Sequence, residues 1–176
     1  MKKLIFSLVV FISTSYSMDL KSLKAIINES PSKSCIDKMK IFSKAGVHTA
    51  KISVKIHSQN NTINLPKTEI ISYYIGNKYL VSKSPMSDNT FFYYVTNYDE
   101  KKNIYKRWSI SPEGKVTTFV GIAKKRVVSW FSLKNKDGIQ EMIIEDHSDK
   151  GINISSISYK NGKLDVSVEA NLIVKP

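Results

Sequence analysis

From Val47 to the end of the chain, apolar and polar residues alternate with a period of two. Ala50, Ile52, Val54 and Ile56 interleave with Lys51, Ser53 and Lys55, the pattern of a strand with one dry face and one wet face. Similar runs follow at about 68–75, 78–84, 90–98, 103–111, 115–122, 126–133, 139–146, 151–159 and 163–174. In the last of these, Leu164, Val166, Val168, Ala170, Leu172 and Val174 are expected on one side. Tight-turn residues join the runs, among them Ser111-Pro112-Glu113-Gly114, Lys136-Asp137-Gly138, Asp149-Lys150-Gly151 and Asn161-Gly162. About ten short strands with no helix between them predict a mostly β fold, an antiparallel up-and-down meander. Closure removes the exposed edges of such a sheet, so a barrel is expected.

Before Val47 the period is that of a helix. Asp19 can cap a helix whose Leu20, Leu23, Ile26 and Ile27 share one face. Ser30-Pro31 ends it, because a residue preceding proline avoids the α region. A further helical turn or two is expected from Ile36 to Lys44, with Ile36, Met39 and Phe42 on one side and Gly46 as its stop. The expected organisation is a helical segment over 18–46 and a β-barrel domain over 47–176, with the helices as a lid or plug.

The first 17 residues read as a signal peptide. Lys2 and Lys3 precede an apolar run from Leu4 to Ile12, and Ser15 and Ser17 fit the small-x-small rule for cleavage after Ser17. The run is far shorter than the ~20 residues of a membrane span, and no later stretch is continuously apolar, so no transmembrane segment is expected in the mature chain. The expected location is periplasmic or secreted. Removing 17 of the 176 residues leaves 159, and losing two lysines lowers the net charge from +12 to +10. A chain of that size supports one domain, and 41% apolar residues with 10% aromatics argue against disorder. The single cysteine, Cys35, cannot make an internal disulfide and reads as an idle thiol.

Several short landmarks carry a resemblance. Gly46 stands before the first strand, Gly76-Asn77-Lys78-Tyr79-Leu80 opens a later one, and Tyr98-Asp99 precedes Tyr105-Lys106-Arg107-Trp108. Ser111-Pro112-Glu113-Gly114 and Gly121 follow. Over about 36–151 the chain resembles the bacterial secreted lipocalin-like (calycin) domains of unknown function, although Val47 and His48 stand where that group has an opening Trp. The resemblance implies a barrel of eight to ten strands with an interior able to hold a small apolar ligand. It carries over no catalytic residue.

Chemistry-bearing motifs are sparse. His48, His57 and His147 lack metal-ligand spacing, and no cysteine completes a zinc site, so no metal is expected. Asp146 and His147, adjacent near a strand end, should point apart and read as a solvated turn. His147 would be the axial ligand if this were a haem barrel, but no cofactor is expected. Nucleophile elbows, phosphate loops and His-Glu-x-x-His are absent from the sequence. Glu141 and Glu145, four apart on a strand, are ~13 Å apart by strand rise, too far for the usual glycosidase pair. No catalytic residue is assigned and no enzyme is expected.

Aromatic residues crowd the strands, with Phe91-Phe92-Tyr93-Tyr94 placing two rings on each face. They read as core and cross-strand pairs, or as the lining of a ligand cavity, for which Tyr93, Trp108 and Trp130 are the candidates. The pattern does not settle which face of 103–111 and 126–133 points inward. Basic clusters fall on turns at both ends of a meander, which reads as a solvated surface and not a stripe for nucleic acid. Lys124, Lys125 and Arg126 are the candidates for contact with an anionic surface.

The expectation is a non-enzymatic, exported lipocalin-like protein that binds a small hydrophobic molecule. Two alternatives stand beside it: a surface-interaction module using the basic exterior, and a periplasmic lipid or lipoprotein carrier built as an open half-barrel. Pairing between the strands at 50–57 and 163–174 separates the closed barrel from the open one.

Overall fold

The computed structural model describes residues 18–32, 35–42, 45–86, 89–132 and 138–174. The expected signal peptide lies outside the described residues, as do Lys134 and Lys136.

The Asp19 carboxylate accepts the Ser22 N–H at 2.7 Å and caps helix α1 (Leu20–Ile27). The chain then forms a two-residue strand, β1 (Pro31–Ser32), and a 3-10 turn over Asp37–Phe42. The remaining strands are β2 (Gly46–Ile56), β3 (Asn61–Asn64), β4 (Thr68–Ile75), β5 (Tyr79–Pro85), β6 (Phe91–Asp99) and β7 (Ile104–Ile110). They continue as β8 (Val116–Lys124), β9 (Val127–Ser132), β10 (Ile139–Ser148), β11 (Gly151–Lys160) and β12 (Lys163–Val174). The short strands β1 and β3 carry no signal in the alternation.

Successive strands from β4 to β12 pair antiparallel, and β2 closes the ring. β12 pairs with β2 from Val166↔Ile56 to Val174↔His48. The other edge of β2 is shared: Gly46–Ala50 pair with β4, and Ser53–Ile56 pair with β3. The result is a closed meander of ten strands, β2 and β4 to β12, with β1 and β3 as short additions. The open half-barrel is therefore overturned, because the two strands whose separation it required exchange ladder hydrogen bonds. Closure also leaves no long unpaired edge among the ten.

One predicted side is corrected. The register steps from Ser158↔Val166 to Tyr159↔Leu164 and skips Asp165. This bulge turns Leu164 outward, where it is 40% exposed, while Val168, Ala170 and Leu172 keep the inner side.

The N-terminal segment serves both faces of the barrel. Outside, α1 sets Leu23 and Ile26 against Ile75, Val81, Val95, Trp108 and Ile110. Inside, the turn sends Met39 and Phe42 into one end of the barrel, against Tyr74, Leu80, Tyr105, Phe119 and Trp130. A plug of this kind buries backbone carbonyls that need donors. The Tyr105 hydroxyl donates to the Lys38 carbonyl at 2.7 Å, and the Tyr74 hydroxyl donates to that of Phe42 at 3.1 Å. Thus the helical segment supplies both an external brace and an internal plug.

Candidate functional site

Between the plug and the far end of the barrel lies a cavity of about 250 Å³. Its apolar wall comes from Ile52, Ile70, Ile143, Ile154, Val168 and Leu172, each an inward residue of an alternating strand. Ser72, Ser82, Ser84, Tyr94, Glu141 and Ser156 make a polar side. Ser72 and Ser82 sit opposite each other on β4 and β5, with hydroxyl oxygens 2.9 Å apart.

The floor is ionic. Arg107 of β7 and Glu145 of β10 point inward and meet across the barrel. The guanidinium forms a two-pronged pair: Nη1 donates to Oε1, and Nη2 donates to Oε2 at 2.9 Å. Arg107 Nε donates to Thr96 Oγ1 at 3.1 Å, and the guanidinium carbon lies 3.9 Å from the Trp130 ring centre. Trp130 Nε1 donates to Glu145 Oε2 at 3.0 Å, and His147 Nε2 lies 3.3 Å from the same oxygen. His147 Nδ1, also buried, has no hydrogen-bond partner among the described residues.

Burial opposes ionisation of Glu145. The Arg107 charge, with hydrogen bonds from His147 and Arg107, outweighs it and holds the carboxyl well below the usual carboxylate range. Glu141, two inward positions along β10, behaves in the opposite way. Burial raises its pKa, and the Ser156 hydrogen bond at 2.9 Å and the more distant Arg107 charge only partly offset that. Burial likewise raises the Tyr94 pKa against the pull of Arg107.

One close approach fixes the floor. Gly121 faces Trp130 across the β8–β9 ladder, and a Cβ at 121 would lie 2.5 Å from the indole ring. The ring therefore occupies the space a side chain would need.

The three proposed lining aromatics separate. Trp130 points inward but is fully buried beside Arg107, and it is not itself among the residues that line the cavity. Tyr93 and Trp108 do not line the cavity: both belong to the outer cluster under α1. Their neighbours Tyr94 and Arg107 take the inner positions, because the side of each strand is set by the ring as a whole. The solvated-turn reading of His147 is also corrected. Asp146 does face outward, to Arg126 at 2.7 Å, but His147 is buried against Phe42 and Glu145. Arg107 and Glu145 were missed as a pair. The available signal was a charged residue on the apolar phase of an alternating run, as with Glu145 between Ile143 and His147.

Lys124, Lys125 and Arg126 are exposed on the β8–β9 hairpin. It shares the plugged end with the hairpins that carry Lys78, Lys101, Lys102 and Lys150, while Lys115, Lys160 and Lys163 lie at the other end. Among the described residues, no three His, Cys, Asp or Glu side chains gather to hold a metal ion, and no helix is long and apolar enough to cross a membrane.

Fold and site together define a closed antiparallel barrel with a plugged end and an amphipathic interior. Compared with known proteins, the chain matches no family model, and no curated protein matches its sequence.

Proposed function

We propose that this is an exported, lipocalin-like binding protein that holds a small, mainly apolar molecule inside the barrel and catalyses no reaction. The observation that carries the reading is the cavity itself, an apolar wall with a few convergent polar groups. Its 250 Å³ admits roughly eight to ten heavy atoms, at about 30 Å³ for a water-sized group. That suits a short amphiphile better than a long lipid. The Lys2-Lys3 start, the apolar run to Ile12 and Ser15-x-Ser17 support export.

Trp108 and Trp130 are the two tryptophans, so Trp108→Phe leaves Trp130, packed on the Arg107–Glu145 pair that lines the cavity, as the single reporter. Titration of that variant with eight-carbon amphiphiles should change Trp130 emission saturably, and native mass spectrometry should show a one-to-one complex. No saturable change and no complex with any of them would sink the reading. Recovery of a mature chain beginning at Met18 outside the cytoplasm tests export.

A second reading, contact with an anionic surface, draws support from the lysine-bearing hairpins gathered at the plugged end. Charge reversal of Lys124, Lys125 and Arg126 to Glu should then abolish salt-sensitive retention on vesicles rich in anionic lipid. Retention unchanged by the reversal counts against it.

A further inference from the structure

We infer that the cavity selects its ligand by head group, taking an amphiphile with a cationic amine in preference to the carboxylate of the same chain, with Glu141 as the counter-charge. The inference rests on the proposal that the cavity is a ligand site.

Among the described residues, three formally charged side chains line the cavity: Arg107, Glu145 and Glu141. Arg107 reaches both oxygens of Glu145 and gives its Nε–H to Thr96, so three of its five N–H groups are committed inside the floor. Its face is also covered by Trp130. The positive charge is thereby neutralised, and an entering carboxylate would have to compete with Glu145 for it.

Among the described residues, Glu141 has no such cation. Its side chain accepts one hydrogen bond, from Ser156, and its own N–H is bound to Ser132 Oγ at 2.7 Å, which fixes the backbone that carries it. Counting histidines neutral, the lining carries one positive and two negative groups. A ligand carboxylate would add a third anion to a desolvated space. An ammonium would supply the missing charge and donors for Glu141. The remaining titratable groups of the lining are His48, His147 and Tyr94, and His147 lies against Glu145. The raised pKa of Glu141 agrees with a carboxyl that lacks its cation.

The test uses octylammonium, 1-octanol and octanoate at pH 7, read by Trp130 emission in the Trp108→Phe protein. Octylammonium should bind about tenfold or more tighter than octanol, and octanoate should bind weakest. Glu141→Gln keeps the shape and the Ser156 contact; it should bring octylammonium down to the octanol level and leave octanol unchanged. Octanoate binding as tightly as octylammonium, or equal affinities for all three, overturns the inference while leaving the cavity reading intact. Failure of all three to bind overturns the cavity reading itself. The wild-type head-group order decides the matter even if Glu141→Gln does not fold.

Discussion

Trp108 and Trp130 stand on strands separated only by β8, yet they anchor opposite faces of the same barrel wall. Trp108 lies outside, in an apolar cluster with Leu23, Ile26, Val81 and Val95. Trp130 lies inside, packed on Phe42 and Arg107 and donating to Glu145. The outer cluster stabilises by removing apolar area from water, so its cost of damage scales with the volume removed. The inner cluster contains a buried ion pair, whose net contribution is small but whose separated halves are costly. Similar indoles therefore serve different ends. One holds the helix to the wall, and the other shapes the floor on which a ligand would rest.

The sharpest way to break this comparison is to remove one half of the inner pair. Glu145→Ala strands the Arg107 guanidinium and should destabilise by about 3–5 kcal/mol in urea titration. The double change Arg107→Met with Glu145→Leu should recover most of that loss. A double variant as unstable as the sum of its two single changes would mean no coupling and would overturn that mutual compensation.

On the outer face, Leu23→Ala should cost about 3 kcal/mol through the cavity left under α1, with octanol binding unchanged. Loss of binding in that variant would mean that the two faces are coupled. Gly121→Ala pushes a Cβ into the Trp130 ring and should cost roughly 1–3 kcal/mol. In the Trp108→Phe background it should also shift Trp130 emission, which an outer-face substitution should leave alone.

The smallest effect separates the two glutamates by pH. Glu145, depressed when folded, contributes stability above its ordinary value of 4.5, and that stability is lost as pH falls below it. Glu141 is raised when folded, so it is neutral to stability at low pH and becomes unfavourable as pH rises through and above 4.5. Glu141→Gln should therefore be slightly more stable than the parent at pH 7, with the difference vanishing near pH 3. Denaturation series at both pH values check the sign.

The strands were legible because alternation needs only local sequence. Nine of the runs, from Ile70 and its neighbours to the last strand, became β4 to β12 within a few residues, and the first became β2. β1 and β3 were not legible, since two and four residues hold too little pattern. The helix over 20–27 was marked by its Asp19 cap and its Leu23–Ile26 face, but nothing in that face says that it packs outside the barrel. The site was read only in part. Trp130 lies on the inner side beside Arg107 without lining the cavity, Tyr93 and Trp108 lie on the outer face, and Arg107 and Glu145 went unpaired. A strand with rings on both faces, such as Phe91-Phe92-Tyr93-Tyr94, has no internal mark of which face is dry inside the barrel and which is dry beneath a helix.

What the chain determined by itself was the period of each segment, the turns between them and therefore the meander, because these follow from the backbone's two repeats and from local turn chemistry. The tertiary structure decided three further things: that β12 meets β2, that α1 covers one outer flank while Phe42 plugs the interior, and that Arg107 finds Glu145 across the barrel. Each joins residues far apart in sequence. Closure of the ring sets inside and outside for every strand at once, and no single segment carries that information.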